Sequence, residues 1–228
     1  MSACRFGGQV NAATNNVAIR PEASVAALVA TDGSASRAMV WQLTERGAAQ
    51  RDLADAVHAF CSLHGRLPGM IEYAAARNTL APATAWLTTA ERGIGTERAY
   101  LARLTSAAGP LPSTPGQAET EAAIAGQRHA LDMLAQSDRA GCALGAAAAL
   151  ILDWRTLRAV LDAAASRFGV ESIASELPEP DTTTAMLAAA TTSAGLGRAI
   201  GFGAQQLLAQ HRGLWELLEA RSSARRDT

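Results

Sequence analysis

The chain has no lysine. All of its positive charge is arginine, 20 residues against 21 Asp and Glu, for a formal net charge of −1. Such a balance excludes the broad basic face that binds nucleic acid, because phosphate neutralisation needs clustered cations. The one dense basic stretch, Arg221, Arg225 and Arg226, reads as a solvated end. The missing lysine itself points to no function: nothing in surface chemistry forbids that residue, and a GC-rich genome that favours Arg and Ala codons accounts for it. Cysteine is scarce too. Cys4, Cys61 and Cys142 are odd in number, widely spaced and form no CxxC pair, which excludes a disulfide framework and a cysteine-held zinc and points to a reducing, cytoplasmic setting.

Long apolar runs are also missing. The start, MSACRFGGQV, has no apolar core behind Arg5 and does not read as a secretory signal. The run from Ala140 to Leu152 is bounded by Arg139 and Asp153 at about 13 residues, short of the ~20 that a membrane span needs. It is expected to be a buried core helix, and no membrane association is expected. Aromatics make up 4% of the chain. The four tryptophans, Trp41, Trp86, Trp154 and Trp215, fall in four helical segments, where each can anchor an interhelical contact. No alternation of β-branched residues suggests a strand.

What is abundant is alanine, roughly a quarter of the residues, far above its usual share. Alanine loses no side-chain entropy in a helix and lets neighbouring backbones approach. The fold class is therefore all-α: one helical bundle of about six to eight helices over residues 21–222, behind a loosely held arm at 1–20 and before a tail at 223–228. Pro21 opens a first short helix. Ser34 caps a second that runs to His64, with Gly47 marking a bend, and Gly65 and Pro68 stop it. Further helices are predicted at Pro68–Arg77 and Pro82–Ala108, and the breakers Pro110, Pro112 and Pro115 follow. The pattern from Gln117 to Phe168 is too long for one helix and is divided near Gly141. The segment VESIASELPEPD predicts a long crossover loop near 169–181, and helices from Thr182 and to about Arg221 complete the chain.

Placing side chains at ~100° per residue shows which polar groups share a face with the large apolar ones. Arg46, Gln50 and His64 fall among Leu43, Leu53, Val57 and Phe60. Glu97 lies between Ile94 and Leu101, Asp138 lies with Leu131 and Leu134, and His211 lies between Leu207 and Leu214. The ladder Asp52, Asp55, His58, Cys61, His64 winds ~60° per step and cannot converge on one ion. His129 and Asp132 fall on the opposite, solvated side of their helix.

Inward carboxylates need partners. In one reading Arg46 and Gln50 supply them, and the polar residues form a register-fixing network. In the other, His64, Glu97, Asp138 and His211 are ligands of a mononuclear Fe, Mn or Zn centre in a ferritin-like bundle. The absence of any Glu-x-x-His excludes the di-iron version. The glycine-rich GLGRAIGFG lacks the preceding strand of a dinucleotide loop. It suits a bend or close helix crossing, and an open face beside Phe202 suits a flat ligand. Cys61, three residues before His64, sits on an apolar stripe as an inert core thiol.

The segments HGRLPGMIEYAAAR, ERAYLARLTSAAGPLPSTPGQAETE and QRHALDMLAQSDRAGCALGAAAALILDW resemble those of an uncharacterised bacterial all-helical family of unknown function, over about Ala59 to Trp154. The resemblance implies no activity, cofactor or partner. The expectation is a non-catalytic bundle acting through ligand or protein binding, with no cofactor and with a two-fold homodimer as its candidate assembly; the alternative is a metal-dependent enzyme. The two demand different geometry, since a metal centre requires Glu97 and Asp138 to meet.

Overall fold

The computed structural model describes residues 21–226 apart from Pro112 and Pro115, so the arm expected at 1–20 lies outside the described residues, as do Asp227 and Thr228. Among them are nine α-helices, two short 3₁₀ turns and no strand. In chain order these are α1 (Pro21–Asp32), α2 (Ala38–Thr44), α3 (Gln50–His64), α4 (Met70–Ala76), α5 (Thr84–Ala108), α6 (Gln117–Ala135), α7 (Cys142–Phe168), α8 (Pro180–Ala190) and α9 (Ala194–Arg226). The ninth helix arises because the predicted Ser34–His64 helix is two. The chain leaves α2 at Glu45, turns through Gly47 and re-enters a helix at Gln50.

The centre is α7, which touches every other helix. Its sequence explains why: Ala146 to Ala149, Ile151 and Trp154 are all fully buried, and a helix that is apolar all round can only be surrounded. Gly141 takes φ +86 at its start, a backbone conformation that glycine reaches without steric penalty. The break divides α6 from α7 where the stripe changes phase.

The partner most closely applied to α7 is α9, and small residues permit the approach. A Cβ on Gly145 would stand 1.9 Å from the Ile200 carbonyl oxygen, and one on Gly203 would stand 1.9 Å from that of Cys142. The glycine-rich GLGRAIGFG is thus the first turns of α9, pressed backbone to backbone on α7. The segment between α7 and α8 is extended coil from Val170 to Glu179, the expected crossover. No helix among the described residues is long and apolar enough to cross a membrane.

Three tryptophans are core anchors, each donating its indole N–H to another element, as buried indoles normally must. Trp86 donates to Thr183 Oγ1 (3.0 Å), Trp154 to Glu97 Oε2 (3.1 Å) and Trp215 to Ser34 Oγ (2.9 Å). Trp41 departs from expectation: it is 57% exposed, because the short α2 turns that side outward.

Candidate functional site

The buried polar groups form three separate clusters. The first is a chain through the middle of the bundle. Asp153, on α7 and 1% exposed, accepts the backbone N–H of Ser34 (2.7 Å) and the Ser34 hydroxyl (2.6 Å). The same carboxylate accepts from His211 Nδ1 of α9 at 2.7 Å. The Nε2 atoms of His211 and His64 then meet at 2.9 Å. His64, the last residue of α3, also passes its carbonyl to Arg98 Nε (3.0 Å), and Arg98 grips Glu72 with both terminal nitrogens. Glu72 in turn accepts the Gly69 N–H at the start of α4.

The electrostatics of this chain follow from its partners. Burial pushes the Asp153 carboxyl up, but the His211 hydrogen bond and charge, with both Ser34 donors, outweigh it and hold the pKa below the ordinary value. Asp153 is therefore a carboxylate. Burial pushes Glu72 up as well, and the Arg98 hydrogen bonds and charge with the Gly69 amide bring it below its usual range. His64 goes the other way: burial first, then His211 and Arg98, hold it well below 6.5. It is neutral at neutral pH.

The outer end of the chain reaches a cavity. His64 lines a space of about 110 Å³ together with Leu63, Met70 and Leu131, and Arg66, Arg98 and Arg128 bring guanidinium groups to it. The walls come from α3, α4, α5, α6 and the α3–α4 turn, with Leu150 of α7 behind. His64 uses Nε2 toward His211, and Nδ1 makes no hydrogen bond among the described residues. Nδ1 is thus the ring nitrogen left for a visitor.

A sequence model of one protein family matches residues 29–226. The chain belongs to a family of unknown function (DUF6975). The match covers α2 to α9 and the last residues of α1. No curated protein and no solved structure matches the chain.

The second cluster surrounds Glu97, fully buried on α5. Its carboxylate takes Arg158 Nη1 at 2.8 Å and the Trp154 indole. Arg158 also reaches Asp162 (3.0 Å) and the Ile173 carbonyl and lies 4.5 Å over the Tyr100 ring. Tyr100 and Ser172 both donate to Asp162. This knot fastens α5, α7 and the crossover segment. The third cluster joins α3 to α9. Arg221 and Arg225 bond Asp55, and Arg225 and Ser222 bond Asp52.

Of the six residues read as inward, His64, Glu97 and His211 are buried. Arg46, Gln50 and Asp138 are not. The reason is phase: Arg46 and Gln50 flank the break between α2 and α3, and Asp138 lies in the turn between α6 and α7, where a wheel no longer applies. Asp138 has its side chain 94% exposed and pairs with Arg77; Arg46 contributes its carbonyl to Arg167 (2.7 Å). The counter-ion of Glu97 is accordingly Arg158. Among the described residues no three His, Cys, Asp or Glu side chains are grouped so as to hold a metal ion, so His64, Glu97, Asp138 and His211 do not converge as a ligand set. The basic end is solvated only at Arg226: α9 runs on to that residue, and Arg221 is 4% exposed.

Asp153 reads in the sequence as the charge that closes an apolar run. Its phase was readable, seven residues after Ala146 and seven before Val160, both fully buried. Arg98 and Arg158 could be found the same way, as cations within long helices. Ser34, in a 3₁₀ turn (Ser34–Ser36), had no periodic signal.

Proposed function

We propose that this protein is a non-catalytic binder of a small molecule, with its ligand in the cavity bounded by α3, α4, α5 and α6. The observation that carries the reading is the buried Asp153–His211–His64 chain ending at that cavity wall. A carboxylate fixes His211 with Nδ1–H toward it, and the Nε2 pair then ties the His64 ring in one orientation. A polar contact held so rigidly in a cavity that also presents Leu63, Met70 and Leu131 is the ordinary construction of a ligand pocket.

The chemistry of the chain favours binding over catalysis. Ser34, His211 and Asp153 are the residue types of a hydrolytic triad, but the hydroxyl bonds the carboxylate and not the imidazole, and Ser34 is 1% exposed. No base can take its proton toward a substrate. The volume suits a few heavy atoms, since a cavity of roughly 150 Å³ accommodates benzene. Free thiols at Cys61 and Cys142 suit a cytoplasmic protein.

The reading is tested with a fragment library and ligand-observed NMR on the full chain, alongside Leu131→Phe, which fills the cavity from α6. Hits that disappear in the variant, with the fold retained by circular dichroism, support it. Hits indifferent to Leu131→Phe, or none at all, overturn it.

A further inference from the structure

A second cavity, of about 220 Å³, adjoins the first along the seam between α3 and α6. From α3, Ala59 and Ser62 line the second cavity and Leu63 and His64 the first; from α6, Ile124 and Ala125 line the second and Leu131 the first. The order is the same in both helices, and Arg128 lines both cavities. The two spaces are consecutive stations under α6 with one guanidinium at their junction.

Their chemistry differs. In the second cavity the charged groups other than Arg128 are already engaged: Asp55 takes Arg221 and Arg225, Glu121 accepts from Gln117 (2.8 Å) and His58 Nε2 meets the Gly109 carbonyl (2.8 Å). Beside the hydroxyls of Ser62 and Thr120, the wall left for a ligand is Ala59, Leu111, Ile124, Ala125 and Leu218, which is mainly apolar. At the first cavity Glu72 offsets Arg98, and Asp132, Arg66 and Arg128 also line the wall. Arg128 makes no ion pair or hydrogen bond among the described residues. A cation at the junction, an imidazole beyond it and a greasy space behind it form an amphipathic slot.

We propose that the ligand is an amphipathic carboxylate, its head held by Arg128 beside His64 and its hydrocarbon tail in the second cavity. This rests on the small-molecule reading of the first cavity. The span from Ala59 to His64 along α3 is about 7–8 Å at the helical rise, which suits a medium-chain tail rather than acetate or a long-chain fatty acid. Each methylene removed from water adds about 0.8 kcal/mol, so the tail supplies the affinity and Arg128 the preference for an acid.

The experiment is calorimetric titration of the full chain with octanoate, acetate and octanol. Octanoate should bind about tenfold or more tighter than either other probe. Ala125→Trp, at an exposed position on α6 whose enlarged side chain enters the second cavity, should erase the advantage over acetate. Arg128→Gln should bring octanoate down to octanol. Octanol binding as well as octanoate, or octanoate binding unchanged in Ala125→Trp, overturns the proposal. Acetate binding as tightly as octanoate, or fragment hits in the first cavity without any octanoate binding, overturns the proposal and leaves the small-molecule reading standing. If neither these probes nor any fragment binds, both fall.

Discussion

His64 and His211 share one hydrogen bond between their Nε2 atoms, at 2.9 Å. One ring must donate and the other accept, and because His211 already gives Nδ1–H to Asp153, neutral rings require His64 to donate from Nε2. Nδ1 of His64 is then an acceptor.

The buried His64 gives stability a definite pH dependence. Burial, His211 and Arg98 depress its folded pKa, whereas in the unfolded chain it protonates near 6.5. Below that value the unfolded state binds more protons, so stability is fully present above about pH 6.5 and declines as pH falls, by at most about 1.4 kcal/mol per pH unit for this group. Asp153, with its pKa depressed, stabilises above the ordinary carboxylate range and loses that contribution only at lower pH. Urea midpoints between about pH 5.5 and about pH 7.5 should therefore fall with acid, and His64→Gln should flatten that slope. An equal slope in the variant would assign the effect to other groups.

Removing Arg158 strands the fully buried Glu97 carboxylate beside Trp154. Arg158→Met should cost about 3–5 kcal/mol. The double variant Arg158→Met with Glu97→Leu should recover part of that loss, since no charge is then left buried. Chemical denaturation of the two singles and the double closes the cycle. A double variant as unstable as the sum of the singles would show that the pair is not coupled.

Ser34 joins two partners through one hydroxyl, donating to Asp153 and accepting from Trp215. Ser34→Ala leaves the indole N–H without an acceptor and removes a donor from the carboxylate, at an expected cost of about 1–3 kcal/mol. A shift in intrinsic tryptophan emission should accompany it. Unchanged stability would mean that water replaces the hydroxyl.

How far the sequence could be read depended on whether a helix was continuous. Helical phase placed Glu97 and His211 correctly because α5 and α9 are unbroken through them. It failed at Arg46, Gln50 and Asp138 because each borders a break, and a single non-helical residue resets the wheel. Arg46 lies past the end of α2, Gln50 is the first residue of α3 and Asp138 lies past the end of α6. The pairings lay beyond reach altogether: Arg158 meets Glu97 and Arg221 meets Asp55 across distant helices, and the wheel of one helix says nothing about its neighbour. Asp138→Ala should accordingly leave the denaturation midpoint unchanged within error, as expected for an exposed pair.

The crossing of α7 and α9 is the most exacting part of the design. At Gly145 and Gly203 the contact is with backbone, the Ile200 and Cys142 carbonyls, and neither can swing aside as a side-chain tip would. Accommodating a methyl group means moving α9 bodily, and α9 carries His211 and Trp215 of the central chain and Arg221 of the α3–α9 cluster. Gly145→Ala and Gly203→Ala should each cost about 3 kcal/mol or more. The displacement should also disturb the His64–His211 bond, which His imidazole NMR signals report. Gly201→Ala on the same helix has nothing within 4 Å of the added carbon and should hold or raise stability, since alanine is the better helix former. Equal behaviour of the three variants would show that α9 is not fixed by its closeness to α7.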